Sequence, residues 1–264
     1  MENIDSNLIR DIIDKELIVT RVQPIISAKR KTTMAVEALS RGIHPATGET
    51  IPPDKLFYAA AKNGLTLELD RLCRKKSLQT YSELRKNNSD IVLFINFDVS
   101  VLDKNVNGSN HLLNSVKELG IEPSSILIEI IESKVENVDA LRKFVSTYRS
   151  AGFLIGLDDI GAGHSNLDRI AMIKPDIIKM DRSIIDGIDR DYHKQEVFRP
   201  MTGLARNIGA MIVAEGVENL DEAVTTLDLG ANLFQGFFFS KPINPEEFTN
   251  GDGLDKKAGE VAEC

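Results

Sequence analysis

The chain has 264 residues, with 32 Lys and Arg against 40 Asp and Glu, a formal charge of −8 and no basic run. That balance argues against DNA, RNA or an anionic membrane surface as partner, and leaves room for a small anionic ligand whose charge metal ions offset. Two cysteines, Cys73 and Cys264, are too few and too far apart for a disulfide framework or a thiolate metal site. No apolar stretch approaches the ~20 residues of a membrane span, and the N-terminus lacks the basic and apolar regions of a signal peptide. The expectation is a soluble, cytoplasmic protein long enough for a single α/β barrel of about 250 residues.

Residues 1–16 are expected to form an N-terminal helical cap, because Ile4, Leu8, Ile9, Ile12 and Ile13 fall at helical spacing. Residues 17–248 then carry eight short apolar runs: Leu17–Val22, Met34–Leu39, Ile91–Ile95, Ile126–Ile131, Phe153–Leu157, Ile177–Met180, Met211–Ala214 and Leu233–Phe239. Helical periods separate them, as in Leu141, Phe144, Val145 and Tyr148, or Val197, Met201, Leu204, Ala205 and Ile208. Strands apolar along their whole length, alternating with helices, predict a mostly parallel sheet with helices outside it, and eight predict closure into a barrel. Residues 41–90 read as an elaborated connection with two helices. The polar, glycine-rich residues 249–264 read as a tail or linker stub without structure.

In such a barrel, chemistry sits at the C-terminal ends of the strands. The runs finish at or near Gln23, Glu37, Asn96, Glu129, Asp158 with Asp159, Lys179 with Asp181, Glu215 and Gln235. Taken singly, each is an ordinary strand end, turn residue or cap; eight in register predict one pocket. Five carboxylates, Glu37, Glu129, Asp158, Asp159 and Glu215, cannot all stay ionised there without cations. All-oxygen ligation suits Mg²⁺ or Mn²⁺ better than Zn²⁺. Two such ions with one bridging Asp make the clamp used for phosphoryl displacement, Lys179 orienting or deprotonating water and Arg41 holding a phosphate oxygen.

These residues resemble the EAL domain, a family of cyclic di-GMP phosphodiesterases. The resemblance is carried by Gln23-Pro24-Ile25, Val36-Glu37-Ala38-Leu39-Ser40-Arg41, Asn96, Glu129 with Glu132, Asp158-Asp159 and its glycine loop, Lys179-Met180-Asp181-Arg182-Ser183, Glu215-Gly216-Val217-Glu218 and Gln235-Gly236. It implies a modified (β/α)₈ TIM barrel whose first strand is antiparallel to the rest, and hydrolysis of cyclic di-GMP to linear 5′-pGpG with two Mg²⁺ or Mn²⁺ ions, Ca²⁺ being inhibitory. It further implies Glu37, Asn96, Glu129, Asp158 and Asp159 as metal ligands, and Lys179 and Glu215 as the residues that position or activate water. Gln23, Leu39, Arg41 and Gln235 would hold substrate. Glu132, Asp181 and Glu218 would support the site, Glu132 as anchor of the loop after Asp159. A homodimer and a regulatory domain or partner are also expected.

The sequence departs from the family pattern at Asp98, Ile131, Ile160, Ala162, His164 and Asn166. None is a ligand position; His164 is read as a loop residue, and the departures bear on loop anchoring and dimer coupling. The alternative function is a catalytically inactive receptor for cyclic di-GMP. A Schiff-base lyase using Lys179 is disfavoured by the carboxylates around it, which keep an amine charged.

Overall fold

The computed structural model describes residues 4–87, 90–98, 109–131, 137–162, 167–249 and 253–264. Strand β1 (Ile18–Ser27) pairs antiparallel with β2 (Thr32–Ile43), and a two-residue β3 (Thr50–Ile51) lies against the end of β2. From β2 the sheet continues in parallel through β4 (Val92–Phe97), β5 (Ile126–Ile131), β6 (Leu154–Ile160), β7 (Ile177–Met180), β8 (Met211–Ala214) and β9 (Leu233–Phe234). The ring closes where Ile26 of β1 meets Phe234 of β9, antiparallel. The result is a closed, eight-stranded mixed α/β barrel with its first strand opposed to the rest, as expected.

The helices are α1 (Ser6–Asp14), α2 (Pro53–Lys62), α3 (Thr66–Leu84), α4 (Ser109–Glu118), α5 (Val138–Ser150), α6 (Leu167–Ile173), α7 (Arg182–Ile185), α8 (Tyr192–Ile208), α9 (Leu220–Asp228), α10 (Pro245–Thr249) and α11 (Gly253–Glu263). Their apolar stripes supply the outer core: Leu141, Phe144, Val145 and Tyr148 of α5 are all buried. Helix α1 starts where the Asp5 carboxylate accepts from the Asn7 and Leu8 amides, and it buries Ile9 and Ile12 beside Leu56, Leu69 and Leu72 of α2 and α3. Among the described residues, no helix is long and apolar enough to cross a membrane.

Three expectations are corrected. The first strand extends five residues past Val22, because its whole length pairs with β2, from Ile18 opposite Gly42 to Ser27 opposite Thr32. The run Leu233–Phe239 is a strand only at Leu233–Phe234. A Cβ on Gly236 would collide with the backbone of Val217, and that close approach turns the chain out of the sheet. The C-terminal stretch, expected to lack structure, carries α11: Ala258 and Val261, at helical spacing, are buried, and Lys31 pairs with Glu263 at 2.9 Å.

One buried hydroxyl links α3 to the barrel floor: Tyr81 Oη donates to the Ile91 carbonyl at 2.5 Å, with the Ser125 carbonyl at 3.3 Å. Tyr81→Phe strands these acceptors and is expected to cost about 1–3 kcal/mol in denaturant unfolding. An unchanged midpoint would mean that water reaches both carbonyls.

Candidate active site

Ile25, Ala35, Phe94, Leu127, Ile177, Val213 and Leu233 form an apolar floor inside the barrel. Side chains of a strand alternate between faces, so the residue two places nearer the mouth also points inward. On β1, which runs downward, that residue is Gln23; on the others it is Glu37, Asn96, Glu129, Lys179, Glu215 and Gln235, and Asp158 takes the same level on β6. The parallel register aligns Asn96 with Glu129 directly. The sequence thus sets a polar layer on an apolar one, out of reach of most solvent.

Lys179 is the hub of this layer. It is only 1% exposed, and its Nζ lies 2.6 Å from Glu129 Oε1, 2.7 Å from Glu215 Oε1, 3.3 Å from Glu37 Oε2 and 3.4 Å from Asp158 Oδ1. Burial would push the amine down, but these four carboxylates outweigh it and hold Lys179 well above the usual lysine range. Glu37 is buried too; Lys179 and hydrogen bonds donated by Gln235 (2.7 Å) and Asn96 (2.9 Å) overcome that burial and keep its carboxyl below the ordinary range. Gln235 also donates to Gln23 Oε1 at 3.1 Å, and Gln23 donates to the Ser240 carbonyl at 3.0 Å.

Glu129 and Glu215 are shifted the other way. Burial, and then the Glu37 charge, raise Glu129 well above the carboxylate range, and burial does the same to Glu215 despite Lys179. Among the described residues, Glu129 Oε2 and Gln235 Oε1 are buried acceptors with no hydrogen-bond partner. Asp159 would point away from Asp158 in a regular strand. Instead, the ladder between β6 and β7 shifts register between Leu157 and Ile160, and Asp159 takes a left-handed backbone, φ 58°. Asp158, Asp159 and Glu215 then offer ligand oxygens all within 4.8 Å of one another. Burial, with Asp158 second, raises the Asp159 carboxyl.

This donor set fits hard divalent cations: it is all oxygen, it contains orphaned buried acceptors, and five carboxylates against one ammonium leave a formal charge of −4 that two such ions would cancel. Glu215, expected at the water-handling position, lies beside both Lys179 and the Asp pair. Glu37 borders two cavities. One, about 360 Å³, also has Leu39 and Asn96 in its wall; the other, about 240 Å³, has Gln23, Asp181, Glu215, Glu218 and Gln235. The Arg41 guanidinium donates to its neighbour's carbonyl, Ser40, at 2.9 Å. Asp181 caps α7 through the Ser183 amide, and Glu218 pairs with Arg182 at 2.7 Å. Glu132, His164 and Asn166 lie outside the described residues. Sequence reasoning gave no role to Arg182 and Phe237, which also line the smaller cavity; the signal was their place just beyond strand-end site residues, Lys179 and Gln235.

The EAL domain family profile matches residues 6–242. The chain is 28% identical over 232 residues to the cyclic di-GMP phosphodiesterase RocR of Pseudomonas aeruginosa, covering 86% of this chain and 57% of RocR. Curated relatives extend well beyond the match, of which the chain spans 30% to 57% of the length. Among solved structures, the PaMucR phosphodiesterase in complex with c-di-GMP superposes with a TM-score of 0.82 at 25% identity, over 92% of this chain and 98% of that one. A manganese/cy-diGMP complex of BlrP1 from Klebsiella pneumoniae gives a TM-score of 0.78 at 29% identity, over 86% and 56% of the two chains. With a profile match spanning the barrel from α1 to beyond β9, and an acidic mouth assembled from the ends of its strands, this chain belongs to the EAL domain family.

Proposed function

We propose that this chain hydrolyses cyclic di-GMP to linear 5′-pGpG, using two Mg²⁺ or Mn²⁺ ions. The observation that carries the reading is Lys179 buried among Glu37, Glu129, Asp158 and Glu215, with Asp159 beside them at the mouth of the barrel and Glu37 at the meeting point of two cavities. Glu37, Asn96, Glu129 and Asp158 would hold one ion, and Asp158, Asp159 and Glu215 the other, with Asp158 shared. Ions there would lower the pKa of water and screen the charge of the phosphodiester. The chain's own part is orientation. Lys179, kept charged by its carboxylates, is a hydrogen-bond donor and not the resting base, and it directs water along the line of attack. Gln235 and Gln23, bonded to each other, fix the edge of the phosphate site, and two cavities meeting at Glu37 suit a ligand with a base on either side of its phosphates. Arg41 and Leu39 bind the dinucleotide on the β2 side. Homodimer formation and control by a further domain or partner belong to the same proposal.

Chromatography of nucleotides after incubation with cyclic di-GMP is expected to show pGpG with Mg²⁺ or Mn²⁺ and little with Ca²⁺. Saturable binding of intact cyclic di-GMP without product would make the chain a receptor. Without nucleotide, Mn²⁺ at a hundred times its dissociation constant is expected to raise the melting temperature by about 5–10 °C. No shift would remove the two-ion reading.

A further inference from the structure

Strands β1 and β9, which close the barrel, share a single paired position among the described residues, Ile26 opposite Phe234. The chain beyond β9 returns to β1 only where Val22 and Ile243 exchange backbone hydrogen bonds of 3.0 and 2.9 Å. Side chains alternate across this narrow seam. On its inner side, Gln235 donates to Glu37 and Gln23, and Gln23 donates to the Ser240 carbonyl, so part of the polar layer is strung over the join. On its outer side, Val22, Ile26 and Phe234 are buried in one cluster with Ala258 and Val261 of α11, which lies against β1, β2 and α9.

Helix α11 also grips the backbone next to the site. Lys257 Nζ donates to the Phe238 carbonyl and sits 5.3 Å from the centre of the Phe238 ring, while the Phe238 amide donates to the Val217 carbonyl at 3.0 Å. The Val217 amide donates to the Gln235 carbonyl at 3.1 Å, and a Cβ on Gly236 would stand 2.1 Å from the Val217 carbonyl oxygen. Both backbone groups of Phe238 are thus held, one of them by α11, three residues beyond Gln235. At the far end of α11 the exposed Lys31–Glu263 pair adds little, which leaves Lys257 and the two buried side chains as what joins the helix to the barrel.

We infer that Lys257 is a positioning residue and α11 a clasp on the active site. Docked on the seam, the helix holds the turn at residues 236–239 where it sets Gln235 on Glu37 and Gln23. Undocking of α11 loosens that turn while the rest of the barrel stays folded. The inference rests on the proposed function only for its effect on turnover, which enters through KM because Gln235 and Gln23 border the phosphate site.

Hydrogen exchange and steady-state turnover of the full chain test it separately. Gly259 lies in the middle of α11, and a Cβ there meets nothing within 4 Å. Gly259→Pro therefore breaks the helix and Gly259→Ala strengthens it, neither touching the site. Exchange over residues 233–242 is expected to rise about tenfold in Gly259→Pro and to fall about threefold in Gly259→Ala, with α5 within about twofold of the wild type in both. Lys257→Met is expected to raise the KM for cyclic di-GMP about fivefold with kcat within about twofold, and Lys257→Arg to restore it. Exchange over 233–242 that ignores both Gly259 variants, or that rises equally in α5, would overturn the inference. So would a wild-type KM in Lys257→Met, or Lys257→Arg as defective as Lys257→Met; each of these leaves the proposed function standing. A wild-type chain that leaves cyclic di-GMP intact overturns the proposed function, and hydrogen exchange alone then decides the inference.

Discussion

Glu129→Gln is expected to lower turnover of cyclic di-GMP by about a thousandfold or more, while the metal-free chain stays at least as stable as the wild type. Glu129 is fully buried, and burial together with the Glu37 charge raises its carboxyl well above the ordinary 4.5, although Lys179 pulls the other way. A carboxyl that folding already drives toward its neutral form loses little when an amide of the same shape replaces it. What the amide removes is a charged ligand oxygen. The sign of the pH dependence follows from the same shift. A raised carboxyl contributes stability that is fully present below 4.5 and is lost as pH rises through its folded value, so Glu129 and Glu215 make the metal-free chain weaker from about pH 4.5 upward. Glu37, depressed, acts oppositely: its contribution is present above 4.5 and is lost below it. Divalent ions need the ionised carboxylates, so ion-induced stabilisation grows as pH rises. Urea unfolding of chelator-treated protein and nucleotide chromatography check the two halves. Wild-type turnover by the variant at millimolar Mg²⁺ would strike Glu129 from the ligand set.

Lys179→Met should do the reverse to stability. Removing the ammonium leaves Glu37, Glu129, Asp158 and Glu215 facing one another with no cation, and breaking one partner out of a buried charge cluster costs about 3–5 kcal/mol. The loss is expected to be largest in metal-free protein near neutral pH and to shrink toward pH 4, where the carboxylates take up protons. Mn²⁺ is expected to recover part of the stability and none of the turnover, because water is no longer oriented. If the variant unfolds at the same urea concentration as the wild type throughout, the ammonium is not what holds the acidic layer together. Glu129→Gln and Lys179→Met thus separate two demands on one site: its carboxylates serve ligation at some cost to the empty fold, and its lysine makes that fold tolerable.

Much of this arrangement is legible in the chain because it depends on local periods. A parallel strand buried on both faces has to be apolar except where it ends, so Lys179 in the run Ile177–Met180 and Glu129 in Ile126–Ile131 stand out as charges on otherwise buried strands. The period of two then assigns Glu37, Asn96 and Glu215 to the same interior level without any long-range information. The missed features depend on pairing between distant segments. The length of β1 comes from its register with β2, and α11 forms around only Ala258 and Val261, a stripe too thin to stand out in a polar, glycine-rich stretch.

The sequence by itself determined the barrel, the helical cover and the identity of the acidic layer, since composition and period act over a few residues. Tertiary structure alone decided how those charges share one space. The register shift and left-handed backbone at Asp159 bring two adjacent carboxylates to one side, and convergence of four strands on Lys179 Nζ lifts some carboxyl groups and lowers Glu37. The turn at Gly236 places Gln235 on Glu37 and Phe237 at the cavity wall. Coulomb energies and desolvation depend on distances across the barrel, and a linear chain does not contain those distances until it closes.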